Sequence, residues 1–148
     1  MKEIMDFVAL VQHYAQLGNG SKAELRRVAK PDDLVLIPAF YHLLPGIRTD
    51  KRWQRVVFFL PYITHAENGA TLGKQLAGKV SEERLFQVLR STSPNDLIQL
   101  RRLVKQVDPV LDWQKLGAML FYWNERAKRR LIEDYFLPPV DSKKEAVS

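Results

Sequence analysis

Residues 81–107 read SEERLFQVLRSTSPNDLIQLRRLVKQV, two amphipathic helices separated by a short STSP turn. Ser81 with Glu82 and Glu83 behind it is a helix start: a hydroxyl to cap free N–H groups and carboxylates to meet the positive end of the dipole. Leu85, Phe86 and Leu89 form an apolar side, with Arg84, Gln87 and Arg90 opposite at spacings of three. After Ser93-Pro94-Asn95-Asp96, the stripe Leu97, Leu100, Leu103, Val104, Val107 has helical period, and Arg101, Arg102 and Lys105 are expected to point away from it. So short a turn predicts antiparallel packing, which would bring the arginines of both helices into one patch.

The pattern extends in both directions. Upstream, residues 3–17 carry an apolar stripe (Ile4, Phe7, Val8, Val11, then Tyr14 and Ala15), stopped by Gly18-Asn19-Gly20. Ser21 followed by Glu24 fits a capping box, predicting a helix over 22–29. Pro31 with Asp32 and Asp33 opens another, which Pro38 must kink or break. A strongly apolar helix is expected from about 50 to 60, and Thr71 opens a short one. The polar stretch 64–71 contains an Asn-Gly turn and reads as a lobe boundary. Downstream, Asp112 caps one long final helix running to Pro138-Pro139, on which Glu125–Arg129, Arg129–Glu133 and Arg130–Asp134 are spaced as ion pairs. The expected architecture is all-α, about eight helices in two small packed bundle lobes, 1–66 and 67–138. Residues 139–148 are expected to form a disordered polar tail.

With 148 residues, 46% of them hydrophobic, the chain can bury a real core. It has no cysteine, which excludes disulfides and thiolate metal sites and fits a reducing cytoplasm. Its apolar runs are too short to span a bilayer, and its N-terminus makes a poor signal peptide. His13, His42 and His65 stand far apart in sequence without partners at metal-ligand spacing. There is no HExxH, no phosphate-binding glycine loop and no GxGxxG. The acidic residues lie mostly at helix starts, where the dipole accounts for them. The sequence thus points to no enzyme, no cofactor and no metal.

The balance of 23 Lys+Arg against 17 Asp+Glu gives +6, which makes a polyanionic partner plausible. Lys22, Arg26 and Lys30 share a helix face, with Arg27 about 100° around from Arg26. Arginine dominates these faces, and its planar fork matches phosphate oxygens. Gln87, Gln99 and Asn95 are neutral donors of the sort that accompany phosphate contacts. A solvated face that only keeps the bundle soluble is the alternative for any single arginine. Three arginine-bearing helices favour a nucleic-acid surface.

NGSKAELRRV, then PDDL and IPAFYHLL, then SEERLFQVLR, DLIQLRRLV, DPVLDW and RLIEDYFL resemble, in order and spacing, the CasB family, the small subunit of the type I-E CRISPR complex Cascade. The resemblance runs from about residue 4 to 138. It implies a two-lobed helical protein without catalytic activity, two copies of which lie end to end in the complex. Implied partners are the helical backbone subunits, the large subunit, guide RNA and target DNA, with no membrane. The implied role is to hold the target and displaced strands and so stabilise the R-loop. The family's nucleic-acid-contacting arginines correspond to Arg27, Arg84, Arg90 and Arg102, and a central-loop contact to Arg48. The residues leave two rivals open: a free-standing nucleic-acid-binding helical protein, and a pure protein scaffold.

Overall fold

The structure, a computed structural model, describes residues 6–43 and 50–137. Arg48 and the 139–148 tail lie outside the described residues. Nine α-helices and two 3-10 segments occur among the described residues, with one two-stranded sheet, so the protein is all-α. The helices are α1 (Phe7–Ala15), α2 (Asn19–Arg26), α3 (Pro38–Leu43), α4 (Lys51–Phe59), α5 (Leu72–Leu76), α6 (Glu82–Arg90), α7 (Asn95–Val107), α8 (Trp113–Phe121) and α9 (Glu125–Phe136). Pro31–Leu36 and Leu60–Tyr62 are 3-10 turns. Thr64–His65 (β1) pairs in parallel with Val110–Leu111 (β2), tying the expected boundary stretch to the segment before α8.

The caps show which sequence signals fix the helices. Thr71, Ser81 and Asp112 accept hydrogen bonds from the N–H groups of Lys74, Arg84 and Gln114, as their positions predict. Asp50 caps α4 through the N–H groups of Arg52 and Trp53. Ser21 does not cap α2. That helix starts one turn earlier, at Asn19, behind an extended Gly18 whose carbonyl accepts from Lys22 N at 3.0 Å. Asp6 caps α1, accepting from Ala9 N, and Pro38 opens α3.

The long final helix is in fact two. α8 ends at Phe121, where Arg55 of α4 reaches across to its terminal carbonyls, donating from Nε to Leu120 O at 2.7 Å and from Nη2 to Phe121 O. Asn124 then starts α9 by accepting from Ala127 N at 2.9 Å. The expected ion pairs along α9 do not form among the described residues; Glu125 lies 4.0 Å from Lys128 instead.

One continuous core runs through the molecule, from Phe7 and Leu25 to Leu120 and Leu131. α8 packs against both α1 and α4, so it buries its apolar face in the N-terminal half of the chain. Phe7, Trp53 and Phe121 meet there with ring centroids 5.0–5.9 Å apart. α5 packs on α9, and α6 on α7, completing the C-terminal side.

Candidate nucleic-acid interface

α6 and α7 run antiparallel: Arg84 Nη1 donates to Gln106 Oε1 at 2.7 Å at one end, and Gln99 Nε2 donates to Ser91 Oγ at 3.0 Å at the other. Between them lies a cleft of about 250 Å³ lined by Arg84, Gln87, Val88, Gln99, Arg102 and Leu103. Its floor is apolar and its rim holds two guanidinium groups and two amides. The hairpin predicted from residues 81–107 therefore brings Arg84 and Arg102, which lie far apart in sequence, to one opening.

Arg101 does not join them. It is 9% exposed, its Nη2 donates to Val28 O at 2.6 Å, and its guanidinium carbon lies 3.8 Å from the Phe58 ring centroid and 5.2 Å from that of Tyr62. Burial lowers its pKa from the ordinary arginine value; the nearby Tyr62 opposes that shift and Arg102 adds to it. The expectation that Arg101 points outward is thus corrected. Leu97, Arg101 and Val104 follow the i, i+4, i+7 spacing of the core stripe, so position 101 faces inward whatever residue occupies it.

A second cationic group joins α7 to the end of α2. Lys105 Nζ sits 5.2 Å from the Tyr62 ring centroid, and Tyr62 Oη donates to Arg26 O at 2.7 Å. Arg27 therefore stands between two carbonyls held from outside α2, that of Arg26 by Tyr62 and that of Val28 by Arg101. Arg26 and Arg27 are exposed. Lys22, one turn earlier on α2, is half-buried with its Nζ 5.5 Å from the Tyr14 ring centroid. On α7, Arg102 and Lys105 are one helical turn apart, so of these two cations one stands at the cleft and one beside Tyr62. Arg90 is exposed at the end of α6, packed beside Phe86 and outside the cleft lining.

None of Lys22, Arg26, Arg27, Arg84, Arg90, Arg102 and Lys105 forms an ion pair among the described residues; the pairs found there are Arg52–Asp50, Lys128–Asp96 and Lys128–Glu125. Tyr62 and Gln106 carry no functional signal in the sequence. Both act through partners distant in the chain, and nothing in their local spacing signals that. No three His, Asp or Glu side chains among the described residues gather into a metal-binding group. No helix among them is long and apolar enough to cross a membrane.

These features define a basic all-helical protein that groups uncompensated cations along one antiparallel helix pair. The chain belongs to the CRISPR-associated protein Cse2 family, whose model matches residues 21–136. It is 38% identical over 154 residues to the CRISPR system Cascade subunit CasB of Escherichia coli (strain K12), covering 93% of this chain and 96% of that one. It also superposes with a TM-score of 0.85 and 40% identity on a chain from the crystal structure of E. coli Cascade bound to a PAM-containing double-stranded DNA target, covering 91% of this chain and 97% of that chain.

Proposed function

We propose that this chain is a non-catalytic subunit of a Cascade assembly that holds single-stranded target and displaced DNA by its backbone and so stabilises the R-loop. Its partners are the other Cascade subunits, a second copy of itself, guide RNA and target DNA, in the cytoplasm. The observation that carries this reading is the pair Arg84 and Arg102 at the rim of one cleft, free of carboxylate partners and flanked by Gln87 and Gln99. Lys105, Arg26 and Arg27 extend the cationic surface past Tyr62.

Guide pairing selects sequence, so such a subunit needs only sequence-blind phosphate contacts, which guanidinium groups supply. Exchange of DNA–DNA for RNA–DNA pairing is nearly balanced, so a few contacts of about 1–3 kcal/mol each suffice to tip it. In the assembled complex, replacing Arg27, Arg84, Arg90 and Arg102 together by Ala should weaken target binding and flatten its dependence on salt, with assembly intact. Each lost phosphate contact should reduce the slope of log affinity against log salt by roughly 0.7–0.9. R-loop formation at wild-type strength by that variant would refute the proposal. Photoreactive DNA should crosslink to this chain within the complex; a pure scaffold would give no adduct.

A further inference from the structure

We infer that Arg101 is a positioning residue: by gripping the Val28 carbonyl from α7 it sets where Arg26 and Arg27 stand relative to Arg102 and Lys105. The inference rests on the reading of that surface as the strand-binding one, and it assigns Arg101 no contact with the strand.

An arginine on a core stripe is an unfavourable choice for stability alone. Its charge is taken out of water, and its Nη1 is buried without a hydrogen-bond partner. A methionine or leucine would fill the stripe without either cost. What only the guanidinium supplies here is reach and geometry. It stacks on Phe58 at 3.8 Å, touches the Tyr62 ring from 5.2 Å, and still delivers one N–H to Val28 O at 2.6 Å. A lysine could carry the charge but not the planar stack together with that bond.

The grip acts where α2 most needs it. α2 has eight residues and no side-chain cap at its start, so its own backbone bonds hold it weakly. At its other end, the two carbonyls on either side of Arg27 are both held by other elements, through Tyr62 and Arg101. Those two side chains also touch each other, and Lys105 lies over the same Tyr62 ring. Arg101 and Arg102 are adjacent in α7, so the backbone that places Arg102 at the cleft also sets the point from which Val28 is gripped. The basic end of α2 and the basic face of α7 are thereby locked into one register.

The test compares assembled complexes carrying Arg101→Met, Arg101→Lys, Arg26→Ala/Arg27→Ala, and the combination of Arg101→Met with that double variant, titrated with target DNA at several salt concentrations. The double variant should lower the salt slope by roughly 1.4–1.8, the value for two phosphate contacts. Arg101→Met should lower it to a similar degree although it touches no phosphate, with Arg101→Lys in the same direction. Adding Arg101→Met to the double variant should change affinity by less than about twofold, because the residues it positions are already gone. A purely structural Arg101 would lower thermal stability and leave the slope at its wild-type value, which would overturn the inference; so would full additivity of Arg101→Met with the double variant. If the double variant itself leaves the slope unchanged, the strand-binding reading of this surface falls and this inference falls with it.

Discussion

Lys128→Met should be among the most damaging single changes to the fold, because it strands a buried carboxylate. Asp96 is 2% exposed and its Oδ2 receives Lys128 Nζ at 3.1 Å and Trp123 Nε1 at 3.0 Å. The same ammonium donates to Ser91 O at 3.1 Å, in the turn between α6 and α7. One lysine of α9 therefore fixes both the first turn of α7 and the start of the loop that precedes it. Methionine keeps the apolar stem but leaves Asp96 with an indole as its remaining side-chain donor, and leaves Ser91 O bare. Breaking a buried pair from one side typically costs about 3–5 kcal/mol. For a chain of this length each kcal/mol lowers Tm by roughly 2–4 °C, so the expected drop is on the order of 6–20 °C. Urea titration followed by far-ultraviolet circular dichroism reads the same loss as a lower midpoint at unchanged slope. The double variant Asp96→Asn/Lys128→Met removes both charges, keeps an acceptor for Trp123, and should recover a large part of the loss. A Lys128→Met loss below about 1 kcal/mol, or a double variant no more stable than the single, would refute the view of this cluster as a buried ion pair holding the helix hairpin to α9.

Other substitutions probe separate parts of the structure. Gly117→Ala would ordinarily favour a helix by about 1 kcal/mol, but a Cβ there would lie 2.2 Å from Phe7 Cγ and 2.7 Å from Phe7 Cβ. Phe7, 1% exposed and packed between Trp53 and Phe121, has no room to yield, so the substitution should lower Tm instead of raising it. Asp112→Asn should cost about 1 kcal/mol at neutral pH, since an amide offers one acceptor where the carboxylate serves both Gln114 N and Asn68 N. Desolvation raises the Asp112 pKa, but those two N–H bonds, with His65 and Lys115 nearby, outweigh it and hold the value below the ordinary carboxylate range. A depressed folded pKa stabilises above the unfolded value, near 4, and is lost as pH falls through the folded one. Thermal melts should therefore show the gap between wild type and Asp112→Asn narrowing as pH is lowered from 5 toward 3.

How far the sequence carried these conclusions depended on whether the deciding interaction was local. Thr71, Ser81 and Asp112 are legible as caps because a cap acts within three residues. The α6–α7 hairpin is legible because its two apolar stripes and short turn leave one packing arrangement. Ser21 misleads because Ser-x-x-Glu is also an ordinary first-turn sequence, and Gly18 adopts the extended cap conformation one turn earlier. The break before Asn124 had a signal, an asparagine followed by Glu125, but what ends α8 is Arg55, distant in sequence. Arg101 is the most instructive case. Residue type says surface and spacing says core, and spacing prevails because Phe58, Tyr62 and Val28 O offer the guanidinium a stack and an acceptor. Arg101 and Arg102 are identical neighbours with opposite environments, so counting arginines overstates the exposed cationic surface while helix geometry sorts them.

The cationic surface also bears on why such a chain would work within an assembly and not alone. Arg84, Arg90, Arg102, Lys105, Arg26 and Arg27 amount to about six phosphate contacts on the proposed reading. With a slope near −0.7 per contact for a single strand, raising salt from 50 to 200 mM would lower affinity roughly 300-fold. A lone chain with so few contacts would release DNA at physiological salt. Held beside a guide already pairing with its target, the same surface would meet the strand at an effective concentration on the order of millimolar, and weak contacts would become sufficient. On the proposed reading a modest cationic surface is an advantage: it would steady an R-loop that pairing has opened, and would be too weak to capture DNA that no guide has matched.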